Sequence, residues 1–213
     1  NGELVLANFS PLSTTPPIRI PKTELRGITI EQLAALVDFV KDIASKWCEA
    51  HEDSPNYANF LDFETFNLYH ATFWVIEPAT LHRCSATRLT CSIRHFNLSV
   101  DPGICRLFRC IEPEPATLDH EREGCSYVEL VAISMDDQRP KWFVSHAWLE
   151  PIVRFMRCLK QHALVRQLSP QCAYWVCAYA NNQHDLKAEI QKNPRKTSFY
   201  RAIKLCAGVL LIL

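Results

Sequence analysis

Lys141-Trp-Phe-Val-Ser-His-Ala-Trp148 runs from an apolar stretch, Trp142, Phe143 and Val144, into the polar pair Ser145 and His146. Asp136-Asp-Gln-Arg-Pro140 makes a turn before it, and Glu150-Pro151 opens a helix after it. Apolar strand, polar tip and helix start, in that order, are how a parallel α/β sheet presents a ligand-binding edge.

Downstream, Ile152, Phe155, Met156, Leu159 and Ala163 mark one apolar helical face, with Arg154, Arg157, Lys160 and Gln161 on the other. The spacing predicts a helix from Pro151 to near Leu168. Ala173-Tyr-Trp-Val-Cys-Ala-Tyr-Ala180 reads as a second buried strand, with Asn181-Asn-Gln-His-Asp185 as its polar exit loop. Thr197 or Ser198 caps a helix carrying Phe199, Ile203 and Cys206, which Gly208 stops, and Val209 to Leu213 reads as a third buried strand. Upstream, Ser126-Tyr-Val-Glu129 is a capping box opening a short helix to about Ile133. The order β-α-β-α-α-β with continuous apolar strands predicts a parallel sheet covered on both faces.

Residues 1–28 carry Pro11, Pro16, Pro17 and Pro21 with little periodicity and read as a flexible linker. Residues 29–81 read as an N-terminal helical arm. Thr29-Ile-Glu-Gln32 is a capping box, and Leu33, Leu36, Val37, Val40, Ile43 and Trp47 recur at helical spacing, predicting a helix from Ile30 to about Ala50. A short helix around Phe66–Thr72 followed by an extended piece is expected next. The aromatic residues from Phe60 to Trp74 have no Lys or Arg among them, which argues core packing and not a platform for nucleic-acid bases.

Residues 82–118 differ in texture: five Arg, no Lys, four of the ten cysteines, and no sustained period. Glu77-Pro-Ala-Thr-Leu81 recurs as Glu114-Pro-Ala-Thr-Leu118, 37 residues on. This stretch reads as an atypical insertion, a translated intron being one origin, or as a surface loop or small metal-bound insert. Residues 119–213 then form the α/β domain.

The chain is 48% hydrophobic and 22% charged, as soluble domains are. No apolar run is long enough to span a membrane and no signal peptide is visible, so a cytoplasmic location is expected. No two cysteines form a CxxC pair; Cys158, Cys177 and Cys206 sit among apolar residues and read as reduced and buried. His82, Cys84, Cys91, His95, Cys105 and Cys110 lack the short pair spacings of a zinc site, and no metal is expected. Net charge is zero, yet residues 1–81 hold 5 Lys/Arg against 11 Asp/Glu, and residues 150–213 hold 10 against 3. The basic half suits either an anion such as a nucleotide phosphate or the acidic front half.

The expected ligand edge gathers Ser145, His146, Trp148 and Glu150 from one loop and Tyr179, Asn181 and Asn182 from the other. Amides and an indole suit a flat polar heterocycle such as nicotinamide or adenine. His146 also reads as a histidine tying two loops together, and Asn181-Asn182 as turn chemistry. There is no G-x-G-x-x-G and no P-loop. A Cys177–His146 hydrolase is disfavoured, because a thiol inside an apolar strand is hard to ionise.

Trp142–Trp148 resembles the first box of Toll/interleukin-1 receptor (TIR) domains, a Phe-[Ile/Val]-Ser-[Tyr/His] strand tip. Ser198–Leu213 is similar to a later helix and strand of that family. The chain more specifically resembles TIR-like proteins of unicellular algae and related protists. They share the pieces seen here as Phe66-Asn-Leu-Tyr-His70, Glu-Pro-Ala-Thr, Cys125–Ala132, Trp142–Trp148 and Tyr174–Gln183. The resemblance implies a flavodoxin-like parallel sheet and a signalling role with homotypic self-association. It also implies, in many members, NAD cleavage or nucleotide sensing; a non-enzymatic interaction module is the alternative. In the enzymes a catalytic Glu follows the strand matching Val209–Leu213. The chain reads as a fragment that stops before that residue, and Glu150 does not replace it by position. This 213-residue chain is therefore expected not to turn over NAD.

Overall fold

A computed structural model describes residues 17–50, 62–80, 124–186 and 193–212. Four strands, β1 (Ile28–Thr29), β2 (Pro140–His146), β3 (Ala173–Val176) and β4 (Gly208–Ile212), form one open, mostly parallel sheet in the order β1-β3-β2-β4. β2 is central, with Val144 opposite Val176 of β3 on one side and Leu210 of β4 on the other. The α-helices among the described residues are α1 (Ile30–Ala50), α2 (Leu68–Ala71), α3 (Glu77–Thr80), α4 (Tyr127–Val131), α5 (Ile152–Val165), α6 (Cys177–Ala180) and α7 (Ser198–Leu205).

Period-two alternation sorts the strand side chains onto two faces. Val144, Tyr174 and Val176 join Leu33, Leu36 and Val40 of α1 and Phe155 and Leu159 of α5 in the larger core. Phe143 and Trp175 point the other way, against Ala202 of α7. α1 begins where its capping box predicts: Thr29 N–H donates to Gln32 Oε1 at 3.0 Å and Gln32 N–H to Thr29 Oγ1 at 3.2 Å. The Ser126–Glu129 box closes in the same way at α4. At β4, Gly208 is where the Trp142 ring lies over the backbone; a Cβ there would run into Trp142 Cζ3.

Several expectations change. The strand expected over 173–180 stops at Val176, and Cys177–Ala180 turns into α6. The extended piece expected after Phe66–Thr72 is a π-helical turn, Thr72–Ile76, running into α3. Pro151 caps α5 from outside instead of starting it. Cys158 is exposed, not buried, because it falls on the outer side of α5. Among the described residues the sheet is not covered on both faces throughout: α7 shields β2 and β3, but Val209 and Leu211 of β4 lie beyond it, 52% and 59% exposed.

The largest difference is at the front. Residues 17–28, expected as the end of a flexible linker, are built into the domain. β1 pairs antiparallel with β3, Ile28 opposite Tyr174. Ile18 N–H donates to Glu129 O, Ile20 N–H to Glu129 Oε1, and Gly27 N–H to Gln138 O at 2.6 Å. Gly27 is required there, since a Cβ would lie 2.7 Å from that carbonyl oxygen. The segment runs close because its backbone groups need partners once buried.

Residues 82–118, with their expected insertion and their His and Cys residues, lie outside the described residues. The flanks are informative. Cys125 N–H donates to Thr80 O at 3.1 Å, so the two sides of the stretch meet. His184 Nε2 lies 3.0 Å from Thr80 Oγ1, and Asn182 Nδ2–H donates to Gly124 O at 2.8 Å, holding both flanks against the loop after α6. Deleting Glu77–Pro113 puts Glu114-Pro-Ala-Thr117 in the place of Glu77–Thr80 and leaves residues 118–124 to reach Cys125. By loop-closure entropy, a connection shortened about six-fold closes for about 1.6 kcal/mol less. The shortened chain is expected to match or exceed the original in urea midpoint. A clear drop in that midpoint would show that the removed residues support the fold.

Candidate functional site

The carboxyl ends of β2 and β3 border a cleft of about 400 Å3. Of the residues expected at the ligand edge, Ser145, His146, Trp148 and Asn181 line it together. Phe143, Val144, Cys177, Gln183, Leu186 and Phe199 complete the wall. Phe199 comes from α7, and no local pattern in the chain indicates that it reaches the tip of β2. The sequence places Cys177 inside an apolar strand. Its place at the start of α6, just past the end of β3, turns it onto the cleft.

His146 projects onto the α5 side, its ring centroid 4.6 Å from that of Phe155. Its Nδ1 lies 3.1 Å from the Ala147 carbonyl oxygen, which can only accept, so Nδ1 carries the proton. Nε2 is left as the acceptor, buried and without a hydrogen-bond partner. Burial holds the imidazole below its ordinary pKa, and the Ala147 bond offsets part of that shift. His146 is therefore neutral at pH 7.

Trp148 is held from two sides. Its ring centroid is 5.0 Å from that of Tyr69 on α2, and its carbonyl accepts from Leu68 N–H at 3.1 Å. Burial pushes the Cys177 thiol up, with the Trp148 side chain and the backbone N–H groups of Ala178 and Cys177 offsetting part of that shift. At neutral pH Cys177 is a thiol, and the cleft offers no thiolate nucleophile.

Asn181 is buried; its backbone N–H donates to Cys177 O, and its Oδ1 accepts from Ser198 Oγ at 3.2 Å, tying β3's exit to α7. The side-chain NH2 is the group it has left to offer. Gln183 donates through Nε2 to Ala178 O at 2.8 Å, leaving its carbonyl oxygen.

The other three expected residues lie elsewhere. Tyr179 is fully buried, its ring 5.7 Å from that of Tyr127, because the helical turn of α6 rotates it away from the strand tip. Asn182 is used up at Gly124 and His184 N–H. Glu150 falls in the turn before α5, outside the cleft wall.

Among the described residues the cleft wall has aromatic rings, a hydroxyl, amides and a neutral imidazole, with no carboxylate and no Lys or Arg. That composition can stack and hydrogen-bond a flat polar ring. A hollow of similar volume between α1 and α5, lined by Val37, Met156, Lys160 and Leu164 among others, contains no ring, thiol or imidazole. Among the described residues no group of three His, Cys, Asp or Glu comes together as a metal site, and no helix is long and apolar enough to cross a membrane. Comparison of the chain with family models, curated proteins and solved structures finds no match.

Proposed function

We propose that this chain is a TIR-like signalling domain whose strand-tip cleft binds NAD or a related nucleotide. One observation carries the reading: Trp148 and Phe199 rings share a cleft with Ser145, His146 and Asn181 at the carboxyl ends of parallel strands. In open α/β sheets that edge is where ligands bind. The order β3-β2-β4, numbered along the chain as 2-1-3, is also how a flavodoxin-like sheet begins, which supports that topology. The rings would stack on a purine or nicotinamide, while the Asn181 amide and the Ser145 hydroxyl read its polar edge. Among the described residues Cys158, Cys172, Cys177 and Cys206 are in no disulfide, which suits a reducing, cytoplasmic setting.

The test is a titration of the whole chain with NAD and with adenosine, followed by calorimetry. Saturable binding is expected, with no release of nicotinamide above a heat-killed control, because no carboxylate lines the described cleft. Trp148→Ala should weaken binding by roughly tenfold or more, the value of one base–aromatic stack. Wild-type protein that binds neither ligand would overturn the proposal, and nicotinamide release would overturn its non-hydrolytic part.

A second reading, a non-enzymatic TIR-like module that self-associates, draws on a separate observation. Val209 and Leu211 of β4 and Phe199 and Ile203 of α7 are 42% to 59% exposed, an apolar surface of the kind found at protein contacts.

A further inference from the structure

We propose that Tyr69 is a second ring-stacking contact of the strand-tip site, favouring a ligand with two ring systems over one with a single base. This rests on the nucleotide reading above. Tyr69 belongs to α2, in the segment read from the sequence as an N-terminal arm. The structure fixes that segment to the loop carrying Trp148. Leu68 N–H donates to Trp148 O at 3.1 Å, Ile152 N–H donates to Phe66 O at 2.7 Å, and Asn67 forms an isolated antiparallel bridge with Pro151. The Asn67–His70 capping box then sets the first turn of α2 and with it the direction of Tyr69.

The Tyr69 ring is tilted 56° against that of Trp148, yet the residue is 54% exposed. A tyrosine used only as core filler would be covered. Trp148 lines the cleft and also meets Tyr69, so a ligand leaving the cleft past Trp148 next encounters an open aromatic surface. A cleft of about 400 Å3 accommodates one base with its sugar; the second ring of a dinucleotide has to lie outside it. Tyr200, another exposed ring near Phe199, is less free to receive it, since the Lys204 ammonium sits 5.6 Å from its centroid.

The test compares NAD with ADP-ribose, which has the same adenosine and diphosphate but lacks the nicotinamide ring, and with adenosine. The whole chain should bind NAD roughly tenfold more tightly than ADP-ribose, in line with one added stack. Tyr69→Ala should remove that advantage, with NAD affinity falling further than that for ADP-ribose or adenosine, and Tyr69→Phe should keep it. Equal affinity of the wild type for NAD and ADP-ribose, or a Tyr69→Ala chain that retains the preference or weakens all three ligands alike, would overturn the role of Tyr69 alone. Binding of none of the three by the wild type would overturn the nucleotide reading as well.

Discussion

Glu129→Ala is expected to destabilise the protein by about 3–5 kcal/mol, the usual result of removing one partner of a buried ion pair. Glu129 and Arg26 have side chains only 6% and 11% exposed, with Arg26 Nη2 3.2 Å from Glu129 Oε1. The same carboxylate accepts from Ile20 N–H at 2.8 Å and from both the N–H and the hydroxyl of Ser126 at 3.0 Å. Arg26 reaches further, donating through Nε to Ile20 O and through Nη1 to Ala180 O. Alanine would remove that carboxylate from the guanidinium, one anchor of the 17–28 segment at Ile20, and the Glu129 half of the α4 capping box. Glu129→Gln keeps an acceptor and the shape, so it should fall between wild type and alanine. Urea unfolding followed by circular dichroism gives the comparison. An alanine variant within 1 kcal/mol of wild type would show that the pair contributes little.

Trp175→Ala should cost a similar amount, about 3–5 kcal/mol, by the cavity it leaves. The residue is fully buried, stacked on Phe143 at 4.9 Å with 13° between the planes, and set edge-on to Phe199 at 5.0 Å. Its indole N–H also donates to Thr23 O at 3.0 Å, joining the front segment to the sheet. Trp175→Phe refills most of the volume and loses mainly that bond, about 1 kcal/mol on the usual scale of a hydrogen bond. Phe143 and Phe199 both line the cleft, so the alanine variant should lose ligand affinity along with stability. An alanine variant with full affinity at temperatures where it stays folded would show that the cleft does not depend on this stack.

Much of the architecture was legible in the chain because its determinants are local. The Thr29–Gln32 and Ser126–Glu129 boxes each span four residues and satisfy first-turn N–H groups whatever surrounds them. The apolar faces of α1 and α5 repeat at helical spacing, and Trp142–Val144 and Ala173–Val176 are apolar in unbroken runs. From those pieces came the parallel pairing of β2 with β3 and β4, and the place of Ser145, His146, Trp148 and Asn181 near one edge. Tertiary contacts decided the rest. Gly27 and Ile28 look like linker until Gln138 O and Tyr174 stand beside them. Glu129 reads as a capping residue, and only the fold brings Arg26 to it from the other end of the chain. Cys177 continues an apolar run that should remain a strand; the chain instead turns there, moving Cys177 onto the cleft and Tyr179 into the core. Cys177 and Phe199 line the cleft from two separate elements, and Tyr69 touches Trp148 from a third. Periodicity and capping report the conformation of neighbours in sequence, whereas a cleft wall and a buried ion pair are set by which distant surfaces exclude water from each other.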